Sequence, residues 1–531
     1  MNKVLRNIFF SLLSAGCLSA CHDLDVPLES KLNPSNFPQT QSQFILASGP
    51  VYTAFGSATL TREYWFLQSL STDECILPAR GGNWFDGANY QQMHLHTWTP
   101  DNGCVNMGWS LLTTTISTCN QVLSTFASSP VAADPQILAE VKTMRALSYF
   151  LMMDLYGNIP VVTTFGDTAQ PRTTKRADVF TFLENELNTA LPNLSTTVNS
   201  STYGRPTKYA AFAILAKMYL NAKVYTGTER NADAVRMCDS IITSGKYALE
   251  SDYKGMFAIN NGPQIKEFIF AVPNTNAATA NSQTNGQFFA RYYLHRALRA
   301  KYKLPFTPSG AVSVLPEFYS YFNQPGDVRN NIWLTGKQYD YSGNPIVIST
   351  TNIGYDAAYS GANPTAAYNY ELTFTPNIVL TNVPNFDAGN DEKSWAEGYR
   401  CIKFYPDSTS TSRNQDNDYP IFRYSDILLT KAEAIQRGAA ATNGQTALSL
   451  LNDLRAIRKT TTLTSVDLEA IYAERMRELV WEGWNRNDMI RYDKFEGSWG
   501  YKTNADPNRR LYPIPTSART LNPLLDQNTG Y

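Results

Sequence analysis

The side chains best suited to chemistry lie in residues 72–106, where glycines, aromatic rings and polar groups alternate without a helical period. Three aromatic side chains there offer flat apolar faces: Trp84, Tyr90 and Trp98. Three polar side chains offer donors and acceptors: Arg80, Asn83 and Asp86. Sugar rings have apolar C–H faces, so they stack on exposed aromatic rings while polar neighbours bind their hydroxyls. We predict that this aromatic loop, residues 72–106, is an ordered surface loop that binds a ligand; alternatively, its rings pin the loop to the core.

Carboxylates near the loop raise a second possibility, hydrolysis. A glycosidase needs two carboxyl groups about 5 to 10 Å apart, and Asp73, Glu74 and Asp86 are the candidates. With 46 acidic residues in the chain, chance pairs are frequent, and most surface carboxylates are simply solvated. Motifs for a serine nucleophile, a phosphate-binding loop or a dinucleotide are absent from the sequence. We expect a protein without catalytic activity.

A metal centre is a third possibility. His94 and His96 would share one face of a strand, but the chain has four histidines and no third ligand at a usual zinc spacing. Asp and Asn side chains of the polar half could hold calcium, although no EF-hand loop occurs. We expect no metal or other cofactor.

The N-terminus has the pattern of a lipoprotein leader. Lys3 and Arg6 precede an apolar stretch, and Leu18-Ser19-Ala20-Cys21 forms a cleavage box. Residues 1–20 are therefore predicted to be a signal peptide, and Cys21 the lipidated first residue of the mature chain. A polar, Pro-rich tether, residues 21–48, would follow. The net charge of −1 and the lack of a basic run argue against nucleic-acid binding.

Hydrophobic periodicity divides the rest of the chain into three regions. Residues 49–246 are predicted to be mainly helical, and their Ala-rich paired helices resemble tetratricopeptide repeats. Residues 247–418 are rich in Gly, Asn and Pro, with short strand-like runs at 268–272, 345–349 and 377–380. Residues 419–531 begin with three amphipathic helices, the third with Thr464 and Asp467 as a capping box. The fold class is mainly α: a tetratricopeptide-like spine with a loop-rich second half.

Two aromatic residues of the loop-rich region are weaker site candidates, Tyr292 and Trp333. Tyr292 lies in an aromatic and basic run, residues 288–305, after a polar segment, 274–287, that we expect to be mobile. Alternating charges in residues 474–491 favour a structural ion-pair network over a catalytic cluster. The five cysteines after Cys21 are expected to be buried small hydrophobes.

Several ordered motifs resemble the SusD/RagB family of nutrient-binding lipoproteins. They are DLYGNIP (154–160), RYSDILL (423–429), AEA (432–434), LNDLR (451–455), ERMREL (474–479), EGWNRNDMIR (482–491), YPIP (512–515) and NPLLDQN (522–528). The resemblance implies a lipid-anchored, non-catalytic subunit on the outer membrane surface, with its loop-rich half facing the ligand. It also implies an oligosaccharide ligand and a SusC-like TonB-dependent transporter as partner. Peptides or other nutrients remain alternative ligands.

Overall fold

The computed structural model of the protein describes residues 37–274, 287–350, 368–410 and 414–531. Its α-helices before residue 247 are α1 (Gln41–Phe55), α2 (Trp65–Ser69), α3 (Asn89–Leu95), α4 (Gly103–Ala127), α5 (Pro135–Tyr156), α6 (Arg176–Ala190), α7 (Lys208–Leu220), α8 (Ala222–Thr226) and α9 (Asn231–Ile242). Those after it are α10 (Phe289–Tyr293), α11 (Arg299–Tyr302), α12 (Pro316–Tyr319), α13 (Glu392–Ala396), α14 (Tyr424–Gln436), α15 (Ala447–Ile457), α16 (Leu468–Leu479), α17 (Asn485–Arg491) and α18 (Thr516–Leu521). Helices dominate, as the sequence predicts.

The long helices pack in a chain of neighbours that forms the spine. Helix α4 packs against α1 and α5, α5 against α6, α7 against α9, α9 against α14, and α14 against α15 and α16. The buried face of α7 carries Ala210, Ala213 and Ala216, whose small side chains let neighbouring backbones approach closely. This serial packing of helices is consistent with the predicted tetratricopeptide-like spine.

Strands are short and occur in antiparallel pairs. They are β1 (Cys75–Ile76), β2 (Ile159–Pro160), β3 (Thr173–Thr174), β4 (Phe268–Val272), β5 (Ser313–Val314), β6 (Trp333–Leu334), β7 (Gly336–Lys337), β8 (Val347–Thr350), β9 (Tyr368–Glu371), β10 (Thr373–Phe374), β11 (Arg400–Cys401) and β12 (Tyr419–Arg423). Strand β4 pairs with β12, β8 with β9, and β1 with β5. The β4–β12 pair is buried throughout and joins the loop-rich region to the C-terminal helices.

Local predictions differ from the structure in three places. Asp467, not Thr464, caps helix α16, because its side chain accepts the backbone N–H of Ala470 at 2.8 Å. Residues 377–380 form no strand, and the backbone N–H of Val379 instead donates to a carboxylate oxygen of Glu397 at 2.9 Å. The aromatic loop is not loop throughout, since it contains β1 and α3.

Some predictions concern residues outside the described ranges. These are the signal peptide, the lipidated Cys21, most of the tether, and positions 275–286 of the polar segment 274–287. Among the described residues, no helix is long and apolar enough to cross a bilayer. The five cysteines within the described ranges are free thiols and buried, as predicted.

Buried ion pairs tie the C-terminal helices to the rest of the fold. Glu478 of α16 accepts from Arg329 at 3.0 Å, from Arg423 at 2.9 Å and from Arg458 at 2.8 Å. A second set on the same helices joins Arg475 to Asp488 at 2.7 Å. The predicted structural ion-pair network is therefore confirmed, and its charges are satisfied by one another away from water.

Candidate ligand-binding surface

The turn that carries Trp84 has an unusual backbone. Trp84, Asp86 and Ala88 have φ values of 67°, 42° and 63°, in the left-handed region that non-glycine residues rarely adopt. Gly81 and Gly82 precede them with φ values of 63° and 86°. Residues in such conformations each cost about 1–3 kcal/mol and persist only when surrounding contacts impose them, often at functional sites.

A carboxylate of the loop-rich region holds the two glycines that begin this turn. Asp387 accepts backbone N–H groups from Gly81, Gly82 and Gly389, each at 2.8 Å. Ala79 adds two backbone hydrogen bonds to the same segment, through the carbonyl of Phe386 and the N–H of Ala388, both at 2.9 Å. The turn is therefore fixed to a segment about 300 residues later in the chain.

Three rings form a contiguous group at this turn. The ring centroid of Trp84 lies 6.1 Å from that of Tyr90 and 5.6 Å from that of Tyr292. Phe66 of α2 supports them, at 5.3 Å from Tyr90 and 5.5 Å from Tyr292. Trp84 and Tyr90 are half-buried, the neighbouring Phe85 is 40% exposed, and Tyr292 is buried with 4% of its surface exposed. We call Trp84, Tyr90 and Tyr292 the aromatic platform.

Polar groups surround the platform. Asp86 is exposed on the same turn, and the Arg291 guanidinium lies 5.6 Å from the Tyr292 ring centroid. Arg62, in a π-helical turn at Leu60–Tyr64, lies near Tyr90 and Tyr292, and its positive charge opposes the effect of burial on the pKa of both phenols. Burial raises the pKa of Tyr292 to about 12 although Arg62 opposes the shift, so its phenol stays protonated and can donate a hydrogen bond at neutral pH.

Trp98 is not a surface ring, contrary to prediction. Its side chain is 1% exposed, its indole N–H donates to the Tyr531 hydroxyl at 2.5 Å, and its ring lies 4.7 Å from that of Tyr512. Trp98 therefore anchors the C-terminus to the core, which is the competing interpretation given above for the loop aromatics.

Three other predicted contacts are also buried. Arg80 donates to the Ser394 carbonyl and, at 3.2 Å, to the Ser313 hydroxyl. The Asn83 carbonyl accepts the backbone N–H of Arg80 at 2.9 Å, so this residue closes the turn. Trp333 packs edge-on against Phe322 at 4.8 Å. These residues shape or support the fold and cannot meet a ligand as they stand.

Glu74, His94 and His96, considered above for hydrolysis and metal binding, lie in the core. A carboxylate oxygen of Glu74 accepts the backbone N–H of Trp481 at 2.7 Å. His96 stacks on Phe495 at 4.4 Å and is hydrogen-bonded to the Ser71 carbonyl. Burial lowers the pKa of His94 to about 3, so its imidazole is neutral. Within the described ranges, no three His, Cys, Asp or Glu side chains cluster as a metal site would require.

Sequence reasoning missed Phe66, Arg62 and Asp387 as neighbours of the platform. Each is far from Trp84 in sequence or lies on a helix whose pattern indicates only core packing. The aromatic and basic run that contains Tyr292 was the available signal. That run does meet the loop in the structure.

Comparison with known proteins identifies the relatives of this chain. Residues 266–531 match the SusD family, and residues 67–220 match a family described as starch-binding and associating with the outer membrane. The starch-binding protein SusD of Bacteroides thetaiotaomicron is 24% identical, and the alignment covers 100% of this chain and 99% of the relative.

Solved structures have the same fold. A surface glycan-binding protein A from Bacteroides fluxus aligns with a TM-score of 0.69 at 19% identity, over 93% of this chain and 100% of its own. A laminarin-binding SusD-like protein aligns with a TM-score of 0.69 at 22% identity, over 93% of this chain and 100% of its own. With the family match extending over half of its length, the chain belongs to the SusD family.

Proposed function

We propose that this protein captures an oligosaccharide at the aromatic platform and does so without chemical change. The observation that carries the proposal is the strained turn that holds Trp84 half-exposed between two tyrosine rings. The left-handed conformation of three non-glycine residues in one short turn costs free energy and persists only where surrounding contacts impose it. The names of two relatives, a starch-binding protein and a laminarin-binding protein, support a glucan or similar sugar as ligand.

Binding would combine stacking with hydrogen bonds. A sugar ring would lie on Trp84, while the Tyr90 hydroxyl and the Asp86 carboxylate bind its hydroxyls and the buried Tyr292 packs against Trp84. The Tyr90 hydroxyl has no hydrogen-bond partner among the described residues, and its side chain is only half-buried. Such groups are available to a ligand without breaking an existing contact.

We also propose a location and a partner. The predicted leader and Cys21 would anchor the mature protein to the outer membrane by lipid, facing the exterior. There it would deliver its ligand to a SusC-like TonB-dependent transporter. The outer-membrane association named in the matching family supports this location, and the transporter is what the family resemblance implies.

Calorimetric titration of residues 22–531 against a panel of neutral oligosaccharides tests the binding site. Trp84→Ala should weaken binding at least several-fold, because a lost stacking contact of about 1 kcal/mol is a fivefold change in Kd. Phe165→Ala is the matched control, since that ring is 46% exposed and lies outside the platform. Its affinity should equal that of the unsubstituted protein.

The results separate the alternatives. Equal binding by Trp84→Ala and the unsubstituted protein would reject the platform as the site. Binding of peptides but not of sugars would reject the proposed ligand class. Release of reducing ends by the purified protein would reject the proposal that the ligand is unchanged.

A further inference from the structure

A second cavity lies away from the aromatic platform and shares no lining residue with it. It is an open cleft of about 650 Å³ between the loop-rich region and the end of α15. Its size falls within the range of small-molecule sites, roughly 300–1,000 Å³. Its lining consists of Ser251, Asp252, Tyr253, Lys254, Val328, Asn331, Ile332, Ile402, Lys403, Tyr405 and Lys459.

The floor and walls of the cleft are largely apolar. Tyr253 and Ile332 are buried at the floor, and Val328, Ile402 and Tyr405 are half-buried along the walls. The buried Lys403 ammonium is already engaged, since it donates to the Glu478 and Val480 carbonyls at 2.9 Å. A ligand would therefore meet apolar surface inside and polar groups at the rim.

The rim is rich in uncommitted donors. Lys254 and Lys459 are exposed, and neither forms an ion pair with a described carboxylate. The Lys254 ammonium lies 4.2 Å from the Tyr405 ring centroid, which holds it over the cleft wall. The side chains of Ser251 and Asn331 also make no hydrogen bond within the described ranges.

The position of Lys459 is itself unusual. It follows α15 in the left-handed conformation, with φ of 59°. The Lys459 N–H donates to the Ala456 carbonyl and the Thr460 N–H donates to the Arg455 carbonyl, both at 3.0 Å. These two hydrogen bonds form a Schellman motif, in which glycine is strongly favoured at the position that Lys459 occupies. A lysine in this conformation carries a cost of about 1–3 kcal/mol, so a use for its side chain would explain its presence.

The rim has one carboxylate, Asp252, among the lining residues. One of its oxygens accepts the backbone N–H of Gly255 at 2.9 Å, which stabilises its own turn. Two free ammonium groups therefore face one partly committed carboxylate, and the rim favours an anion.

We propose that this cleft binds a carboxylate-bearing sugar, with Lys254 and Lys459 as its cationic contacts. The apolar walls would pack against the C–H faces of the ring, and the two ammonium groups would bind the carboxylate. The saccharide part of this proposal rests on the proposed function of the platform, whereas the anionic part rests on the two lysines.

Calorimetric titration of residues 22–531 with digalacturonate tests the proposal, with galactobiose as the neutral counterpart. Digalacturonate should bind more tightly than galactobiose. A double lysine variant, Lys254→Gln and Lys459→Gln together, should weaken digalacturonate binding roughly tenfold or more. Asp252→Asn should strengthen binding, because it removes the opposing charge but keeps the oxygen that accepts from Gly255. Lys223→Gln is the control, since that exposed lysine pairs with Glu229 elsewhere on the surface.

A second measurement locates the contact in the unsubstituted protein. Digalacturonate should slow acetylation of Lys254 and Lys459 but not of Lys223, as read by peptide mass spectrometry. Failure of digalacturonate to bind at millimolar concentration would overturn the proposal. Digalacturonate binding that is lost in Trp84→Ala but kept in the double lysine variant would also overturn the cleft proposal, and it would support the platform. Binding that is lost in the double lysine variant alone would support the cleft even if the platform proposal failed.

Discussion

At the scale of single residues, the two tryptophans of the aromatic loop have opposite surroundings. Trp98 is enclosed by Tyr512, Tyr531 and His96, whereas Trp84 is half-buried on a strained turn. Trp98→Ala should lower the free energy of unfolding by about 3–5 kcal/mol, because it leaves a large cavity and an unpaired hydroxyl. Urea unfolding followed by circular dichroism measures this change. If Trp84→Ala lowered the free energy of unfolding as much as Trp98→Ala does, Trp84 would also be a core residue, contrary to this interpretation.

Glu74 is a residue whose burial makes stability depend on pH. Burial raises its pKa from 4.5 to about 7, so the folded protein holds its proton more tightly than the unfolded chain. The stability that this group contributes is complete below pH 4.5 and is lost as pH rises through about 7.

Glu74→Gln should therefore remove that loss. The amide keeps an oxygen to accept the backbone N–H of Trp481. The free energy of unfolding of the variant should exceed that of the unsubstituted protein by ~1–3 kcal/mol at pH 8, but by little at pH 4. Urea unfolding at both pH values measures the difference. Glu469→Gln, which changes an exposed carboxylate paired with Lys494, should show no such pH dependence.

At the scale of elements, the platform turn depends on a carboxylate from another region. Asp387→Asn replaces one accepting oxygen by a donor, so at least one of the N–H groups of Gly81, Gly82 and Gly389 loses its partner. We expect faster hydrogen exchange in peptides covering residues 79–90, and weaker oligosaccharide binding, because Trp84 is no longer held in place.

A matched variant separates this effect from a general one. Asp340 accepts two backbone N–H groups in an exposed turn, from Ser342 at 2.8 Å and Asn344 at 2.9 Å. Asp340→Asn should leave exchange in residues 79–90 unchanged. Unchanged exchange in that segment for Asp387→Asn would show that other contacts fix the turn.

Helices were predictable from sequence because their signal is local. Within the predicted helical region 49–246, the structure has α5 at Pro135–Tyr156, which ends at Gly157, a residue type that favours helix C-termini. Exposure of a ring is not local: Trp98 is buried by Tyr531, 433 positions later in the chain. The pairing of Gly81 with Asp387 spans 306 positions, so no spacing rule could indicate it.

At the scale of the whole molecule, buried charges join regions that hydrophobic packing alone would leave separate. Glu478 of α16 links Arg329 of the loop-rich region, Arg423 of β12 and Arg458 after α15. Burial alone would raise the pKa of Glu478, but Arg458 and Arg423 hold it well below its usual range. Glu478 is therefore ionised in the folded protein, and the three guanidinium groups depend on its charge.

Removing that charge should destabilise the molecule globally. Glu478→Gln leaves Arg329, Arg423 and Arg458 short of a buried counter-charge, which should lower the free energy of unfolding by about 3–5 kcal/mol. Urea unfolding at pH 7 measures this loss, with Glu469→Gln as the exposed control. A loss as small as that of the control would mean that the remaining carboxylates of the network compensate.

The same network should set the acid limit of the fold. Despite burial, neighbouring arginines hold the pKa of Glu474 and that of Glu433 at about 2, below 4.5. Carboxyl groups whose pKa is lowered by folding contribute stability that is present above pH 4.5 and is lost as the pH falls towards 2. Unfolding followed by circular dichroism should therefore show a steep fall in stability between these values. In Glu478→Gln the free energy of unfolding should fall less steeply with pH, because one carboxylate no longer takes up a proton on unfolding. An identical dependence on pH in the variant would place the acid sensitivity outside this network.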